Sequence, residues 1–155
     1  MKLYQINRIQ RLPTSIEIVW DFFSNPKNLS LITPSSLALE VTSELPEKMY
    51  PGMLVTYNVS PIWGFQVTWV TEITHVAEPH LFVDEQRFGP YRFWHHKHFF
   101  KKIEGGVEIR DIVHYALPLG MLGRFVNKLL VRNELEKIFN YRRQVLEDLF
   151  GKLTS

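Results

Sequence analysis

His96, His98, Asp111 and Glu85 are the side chains whose types and spacing offer chemistry in this sequence. His96 and His98 stand two residues apart, so on a β-strand they share one face, together with Trp94 and Phe100. Imidazole changes charge near neutral pH, and a carboxylate beside it fixes its tautomer and orientation. Three chemistries suit such a set. The histidines and Asp111 can satisfy one another as a hydrogen-bond network in a half-buried sheet. They can orient a mostly apolar ligand by its polar end. A His-x-His face can also ligate a metal, but it needs a third ligand, for which Asp111, Glu85 and Glu104 are the candidates. No Ser or Cys nucleophile is tied to His98 by a motif, which leaves general acid–base work by His98 and Asp111 as the catalytic option. Because a complete three-ligand set is not evident, the sequence predicts no bound transition metal, and it asks for no cofactor.

The elements around these residues follow from periodicity. From Leu37 to Tyr115 apolar residues alternate with period two, broken at Pro46, Pro51-Gly52, Pro61 to Gly64, Glu78-Pro79, Gly89-Pro90 and Gly105-Gly106. This predicts strands at about 37–44, 53–60, 65–76, 80–88, 91–103 and 107–115, and the short connections favour antiparallel neighbours. A two-residue Gly105-Gly106 turn would set Phe100 opposite Asp111, His98 opposite Val113 and His96 opposite Tyr115, with Asp111 diagonal to His98. Val107 and Ile109 fall on the same face, which marks it as the concave one. Phe65, Val67, Trp69 and Ile73 share a parity, as do Val55, Tyr57 and Val59; either set can line a cavity or fill a core. Whether Glu85 or Gln86 points inward depends on the Gly89-Pro90 turn.

Residues 2–10 read as a first strand, ended by Pro13-Thr14. Thr14 and Glu17 form a T-x-x-E capping box ahead of Ile16, Val19, Trp20 and Phe23 at helical spacing. Asn25-Pro26 then opens a second short helix that runs to about Ile32 before Pro34. After Pro118 and Gly120 the period returns to 3.6, through Leu122, Phe125, Val126, Leu129, Leu135, Ile138, Phe139, Val145, Leu146 and Leu149, in a helix of about thirty residues. So wide an apolar face needs a cover, and the strands supply it. The expected fold is α+β: seven antiparallel strands curled around a long C-terminal helix, with two short helices after the first strand.

Length and composition agree. The 155 residues make a single domain, 1–155, and 45% apolar residues give it material for a core. With 18 Lys+Arg spread among 16 Asp+Glu, the net charge of +2 does not call for nucleic acid. Lys97, Lys101 and Lys102, or Arg142 and Arg143, read as solvated faces. There is no cysteine, no secretory signal pattern and no apolar run of the ~20 residues that span a bilayer, so a cytoplasmic protein is expected.

The element order resembles that of the START-like, helix-grip (SRPBCC) superfamily, which includes polyketide cyclase/dehydratase-like proteins, plant allergen-type ligand carriers and coenzyme Q-binding proteins. Trp20-Asp21-Phe22-Phe23-Ser24-Asn25-Pro26 with Leu29 and Ile32-Thr33-Pro34 is similar to the helix pair of its bacterial members. Phe82-Val83-Asp84-Glu85-Gln86 through Gly89-Pro90-Tyr91, Trp94, His96, His98 and Phe100 is similar to a branch labelled ligand-binding or cell-division-inhibitor-like. The resemblance implies a cavity under the concave face, with about 300 Å³ as the least that a small-molecule site needs. The favoured function is then non-enzymatic binding or carriage of a small hydrophobic or amphipathic molecule. Tyr57, Trp69, Glu85, Trp94, His96, His98, Asp111, Tyr115, Met121 and Phe125 are its expected contacts. The alternatives are a cyclase, dehydratase or hydrolase using His98 and Asp111, and a protein-interaction module, though no protein partner is identifiable. Leu117 to Gly123 is expected to act as an apolar gate hinged at Gly120 and Gly123, and Arg124, Lys128 and Arg132 as a basic stripe for transient contact with an anionic membrane surface.

Overall fold

The alternating segments form seven strands: β1 (Tyr4–Leu12), β2 (Glu40–Val41), β3 (Met53–Val59), β4 (Val67–Ala77), β5 (Leu81–Phe88), β6 (Phe93–Ile103) and β7 (Gly106–Ala116). Between β1 and β2 lies α1 (Ile16–Ser24), and the chain ends in α2 (Arg132–Phe150). The structure is a computed structural model that describes residues 2–60, 65–118 and 130–153. The turn residues 61–64, and Gly120, Met121, Leu122, Gly123, Arg124, Phe125 and Lys128 of the expected gate, contact set and basic stripe, lie outside the described residues. Among the described residues, no helix is long and apolar enough to cross a membrane.

The strands form one sheet in the order β1-β7-β6-β5-β4-β3-β2, with every neighbouring pair antiparallel. It is the helix-grip α+β fold that the element order suggests. Helix α2 is tied to the β1 edge by Gln10 Nε2 donating to the Arg143 carbonyl (2.9 Å), by Arg143 Nη2 donating to the Ile9 carbonyl (2.8 Å), and by an Arg8–Glu136 ion pair. Leu135, Phe139 and Leu146 are its buried residues. Leu149, assigned to the same apolar face from periodicity, is exposed, and Phe150 packs on Phe22 instead, with ring centroids 5.4 Å apart.

Local details correct the sequence expectation in four places. Ser15, not Thr14, caps α1, its side chain accepting from the Ile18 N–H. The second short helix is a 3₁₀ segment, Pro26–Ser30, with Asn25 as its cap and Pro26 opening it; a further 3₁₀ turn spans Ser35–Leu37. The strand expected at 37–44 contracts to Glu40–Val41, because the chain turns at Ala38 into the left-handed region (φ 44°). Finally, the β6–β7 turn is centred on Glu104-Gly105, and Gly106 already belongs to β7, paired with Ile103. Moving a two-residue turn by one position shifts every cross-strand partner by two, so the faces survive while the pairs change.

The core is layered along the strands. One apolar cluster holds Leu12, Trp20, Phe82, Phe100, Ile109 and Leu146; a second holds Ile6, Val113, Tyr115, Leu135 and Phe139. Between Ile109 and Val113 sits Asp111, and between Phe100 and Trp94 sit His98 and His96. A polar layer therefore separates two apolar ones.

Candidate functional site

The register of β5, β6 and β7 builds that polar layer. His98 pairs with Phe82 on one side and Asp111 on the other, and His96 pairs with Asp84 and Val113. Two carboxylates thus flank two imidazoles. His96 is 4% exposed, His98 5% and Asp111 7%. His98 Nε2 lies 2.8 Å from Asp84 Oδ2, and His96 Nε2 lies 2.9 Å from Asp111 Oδ1. His96 Nδ1 is 3.4 Å from the same Asp84 Oδ2. His98 Nδ1 stands 2.9 Å from Asp111 Oδ1 but out of line for a hydrogen bond. Trp94 Nε1 donates to Asp84 Oδ1 at 3.3 Å, and the His98 ring stacks on Phe82 with centroids 4.0 Å apart.

These neighbours decide the charges. Burial alone would raise both carboxyls, but the flanking imidazoles outweigh it, holding Asp84 below its ordinary range and Asp111 well below it. Burial would also depress His98; its contacts with Asp111 and Asp84 prevail and raise it. For His96, burial and the charge on His98 prevail over the two carboxylates, and it is lowered. The two imidazoles are thus shifted in opposite senses. From α2, Arg142 brings a guanidinium with Nη1 3.8 Å from Asp111 Oδ1 and its plane centre 5.2 Å from the Phe139 ring centroid. Two carboxylates, two imidazoles and one guanidinium thus share a single layer.

A cavity of about 210 Å³ lies between the sheet and α2. Its wall includes Ile32 and Leu39 from the loops, Val55 and Tyr57 of β3, Trp69 and Thr71 of β4, Tyr91, Leu135 and Phe139, and its polar part is Asp84, His96, His98 and Arg142. Trp69 is the centre of an aromatic group: Tyr57 stacks on it at 5.9 Å, while Tyr91 and Trp94 meet it at 5.4 Å. The Tyr57 hydroxyl hydrogen-bonds Thr71 Oγ1 at 2.7 Å, and burial pushes both the Tyr57 and Tyr91 phenols up. Trp69 Nε1, Arg142 Nε and Arg142 Nη1 are buried with no hydrogen-bond partner. The volume falls short of the ~300 Å³ expected as the least for a small-molecule site, which corrects that expectation of size, but it exceeds the ~150 Å³ that suffices for a benzene-sized molecule.

Of the residues singled out from sequence, Tyr57, Trp69, Trp94, His96 and His98 meet on this wall. Asp111 stands behind the histidines as their partner, directly opposite His98 rather than diagonal to it. Three expectations are corrected. Glu85 points to the other face, bonded to His95 Nδ1 at 2.9 Å and to Arg87, because it alternates with the inward Asp84. Gln86 staples the β5–β6 turn, donating to the Tyr91 carbonyl (2.6 Å) and accepting from its N–H (3.2 Å). Tyr115 is buried in the second apolar cluster against Tyr4 and Tyr91, away from the cavity wall, and Phe65 is 72% exposed. Sequence reasoning missed Asp84 and Arg142, having read the latter as solvated. The signals were present: Asp84 shares the parity of Phe82, and Arg142 interrupts the α2 apolar stripe between Phe139 and Leu146.

No protein family matches the chain by sequence, and neither does any curated protein. Solved structures do resemble it. A Chromobacterium violaceum protein aligns with TM-score 0.73 at 11% identity, over 96% of this chain and 98% of that one. A Thermus thermophilus protein gives TM-score 0.71 at 16% identity, covering 94% and 95%. Ara h 8.0201 gives TM-score 0.60 at 14% identity, covering 94% and 99%. At such identities the likeness is one of fold alone, and that fold is the helix grip; what the cavity holds has to be argued from its own residues.

Proposed function

We propose that this protein binds a compact, largely apolar molecule with an oxygen acceptor or acid group at one end, held in the cavity between the sheet and α2. The observation that carries this reading is the set of unsatisfied donors on the wall. Trp69 Nε1, Arg142 Nε and Arg142 Nη1 are buried without hydrogen-bond partners, although Nη1 lies 3.8 Å from Asp111 Oδ1, and a buried donor with no acceptor costs about 1–3 kcal/mol. A ligand oxygen would recover that cost, while the rings of Tyr57, Trp69, Tyr91 and Trp94 would cover an apolar body. Native mass spectrometry of the purified protein, followed by extraction, should release a defined small molecule. Titration with benzoate and naphthoate should give saturable quenching of the tryptophans in the wall, with affinity at least ten-fold weaker in Arg142→Leu. A protein that carries nothing and shows no saturable quenching with either acid would sink the proposal.

Catalysis is the second reading, and His96 favours it: its imidazole lies on the cavity wall 2.9 Å from Asp111 Oδ1, the pairing of a histidine with an orienting carboxylate that general acid–base chemistry uses. Recovery of the extracted compound unchanged after incubation supports carriage. A product that disappears in His98→Ala or His96→Gln supports an enzyme.

A further inference from the structure

We infer that Asp84, His96 and His98 form a binding site for one divalent transition-metal ion of the zinc or iron class, on the wall of the cavity. Each of the three offers one ligand atom, and these atoms lie within 4.8 Å of one another. His98 Nε2 and His96 Nδ1 converge on the same oxygen, Asp84 Oδ2, at 2.8 and 3.4 Å. An ion with bonds of ~2.0–2.2 Å to nitrogen and oxygen needs neighbouring ligands about 2.9–3.5 Å apart, so it is accommodated by small side-chain shifts. The sequence expectation of no metal rested on a missing third ligand. Asp84, from a neighbouring strand, supplies it.

The outer contacts support the same assignment. A metal-bound histidine characteristically presents its second ring nitrogen to a carboxylate, which orients the ring and strengthens the ligand. Here His96 Nε2 and His98 Nδ1 both lie 2.9 Å from Asp111 Oδ1. The second oxygen of Asp84 is held by Trp94 Nε1 at 3.3 Å. His96 and Asp84 thus each have a hydrogen-bonded outer partner, and Asp111 also stands beside His98 Nδ1, though out of line for a hydrogen bond. Two imidazoles with one carboxylate select against magnesium and calcium, which prefer all-oxygen sets. On binding, the ion would take the place of the hydrogen bond between His98 Nε2 and Asp84 Oδ2, on a wall that faces the cavity. The inference stands apart from the small-molecule reading, since it needs no organic ligand.

Full-length protein stripped with chelator and titrated with Co²⁺ tests it by visible absorption, with Zn²⁺ competition and calorimetry as the second readout. One equivalent of saturable Co²⁺, displaced by Zn²⁺, is expected. Asp84→Asn and His98→Ala should weaken it at least 100-fold, and Asp111→Asn about 10–100-fold. Glu85→Gln and His95→Gln, on the opposite face, should leave it unchanged. Absence of saturable binding to the wild-type protein overturns the inference without recourse to any variant. So does binding that persists undiminished in Asp84→Asn with circular dichroism intact.

Discussion

Asp111 presents a single carboxylate oxygen to both imidazoles, 2.9 Å from each, inside a layer bounded by apolar side chains. Removing one partner of a buried charge set leaves the others uncompensated, so Asp111→Ala is expected to cost about 3–5 kcal/mol in urea unfolding, with Asp111→Asn costing less. The titrations carry a pH signature in the metal-free protein. His98, raised on folding, stabilises below the unfolded value of about 6.5, and that contribution is lost as pH rises through its folded pKa. His96, lowered on folding, acts in the opposite sense: its contribution is present above about 6.5 and lost as pH falls through its folded pKa. Asp84 and Asp111, both lowered, contribute above about 3.9 and lose that as pH falls further. Urea midpoints should therefore peak near pH ~6.5. His98→Gln should flatten the fall above about pH 6.5, and His96→Gln the first part of the fall below it; a profile unaltered by both variants would refute these opposite shifts.

At the scale of elements, two adjacent glycines have different reasons to be there. Gly105 sits at φ 76° in the β6–β7 turn, where a Cβ would meet the Leu153 side chain at an ordinary van der Waals distance of 3.7 Å. Gly106 lies against β1, and a Cβ there would overlap the Leu12 carbonyl. Gly105→Ala should therefore cost about 1 kcal/mol through backbone strain, whereas Gly106→Ala, which must push β1 away from β7, should cost about 1–3 kcal/mol or more. Equal losses in denaturant unfolding would contradict the register. This also explains why the histidine face was legible from sequence although its pairs were not. Alternation along β6 places Trp94, His96, His98 and Phe100 together whatever the turn does, but the opposite residue depends on which pair of residues makes the turn. The same limit applied to Glu85 and Gln86, since only the β5–β6 pairing shows that Asp84 is the inward carboxylate.

Across the whole molecule, both apolar clusters contribute to the cavity wall, but some of their members lie away from it. Leu146 belongs to the first cluster and lies off the cavity wall; Leu135 belongs to the second and lies on it. Each is nearly inaccessible, at 1% and 3% exposure, so truncation to alanine should cost about 2–5 kcal/mol in either case. Ligand affinity should fall in Leu135→Ala alone, and an equal loss in Leu146→Ala would argue against the placement of the cavity. The sequence by itself determined the strand faces, the need of α2 for a covering sheet and the absence of a cysteine nucleophile, because periodicity and composition are local properties of a chain. Only the tertiary structure decided that Asp84 and Arg142 join the histidines. One comes from the neighbouring strand and the other from a helix that begins 16 residues after the end of β7. Their meeting depends on strand register and on how α2 is rotated against the sheet, and both are set by packing between segments that no single stretch of sequence contains.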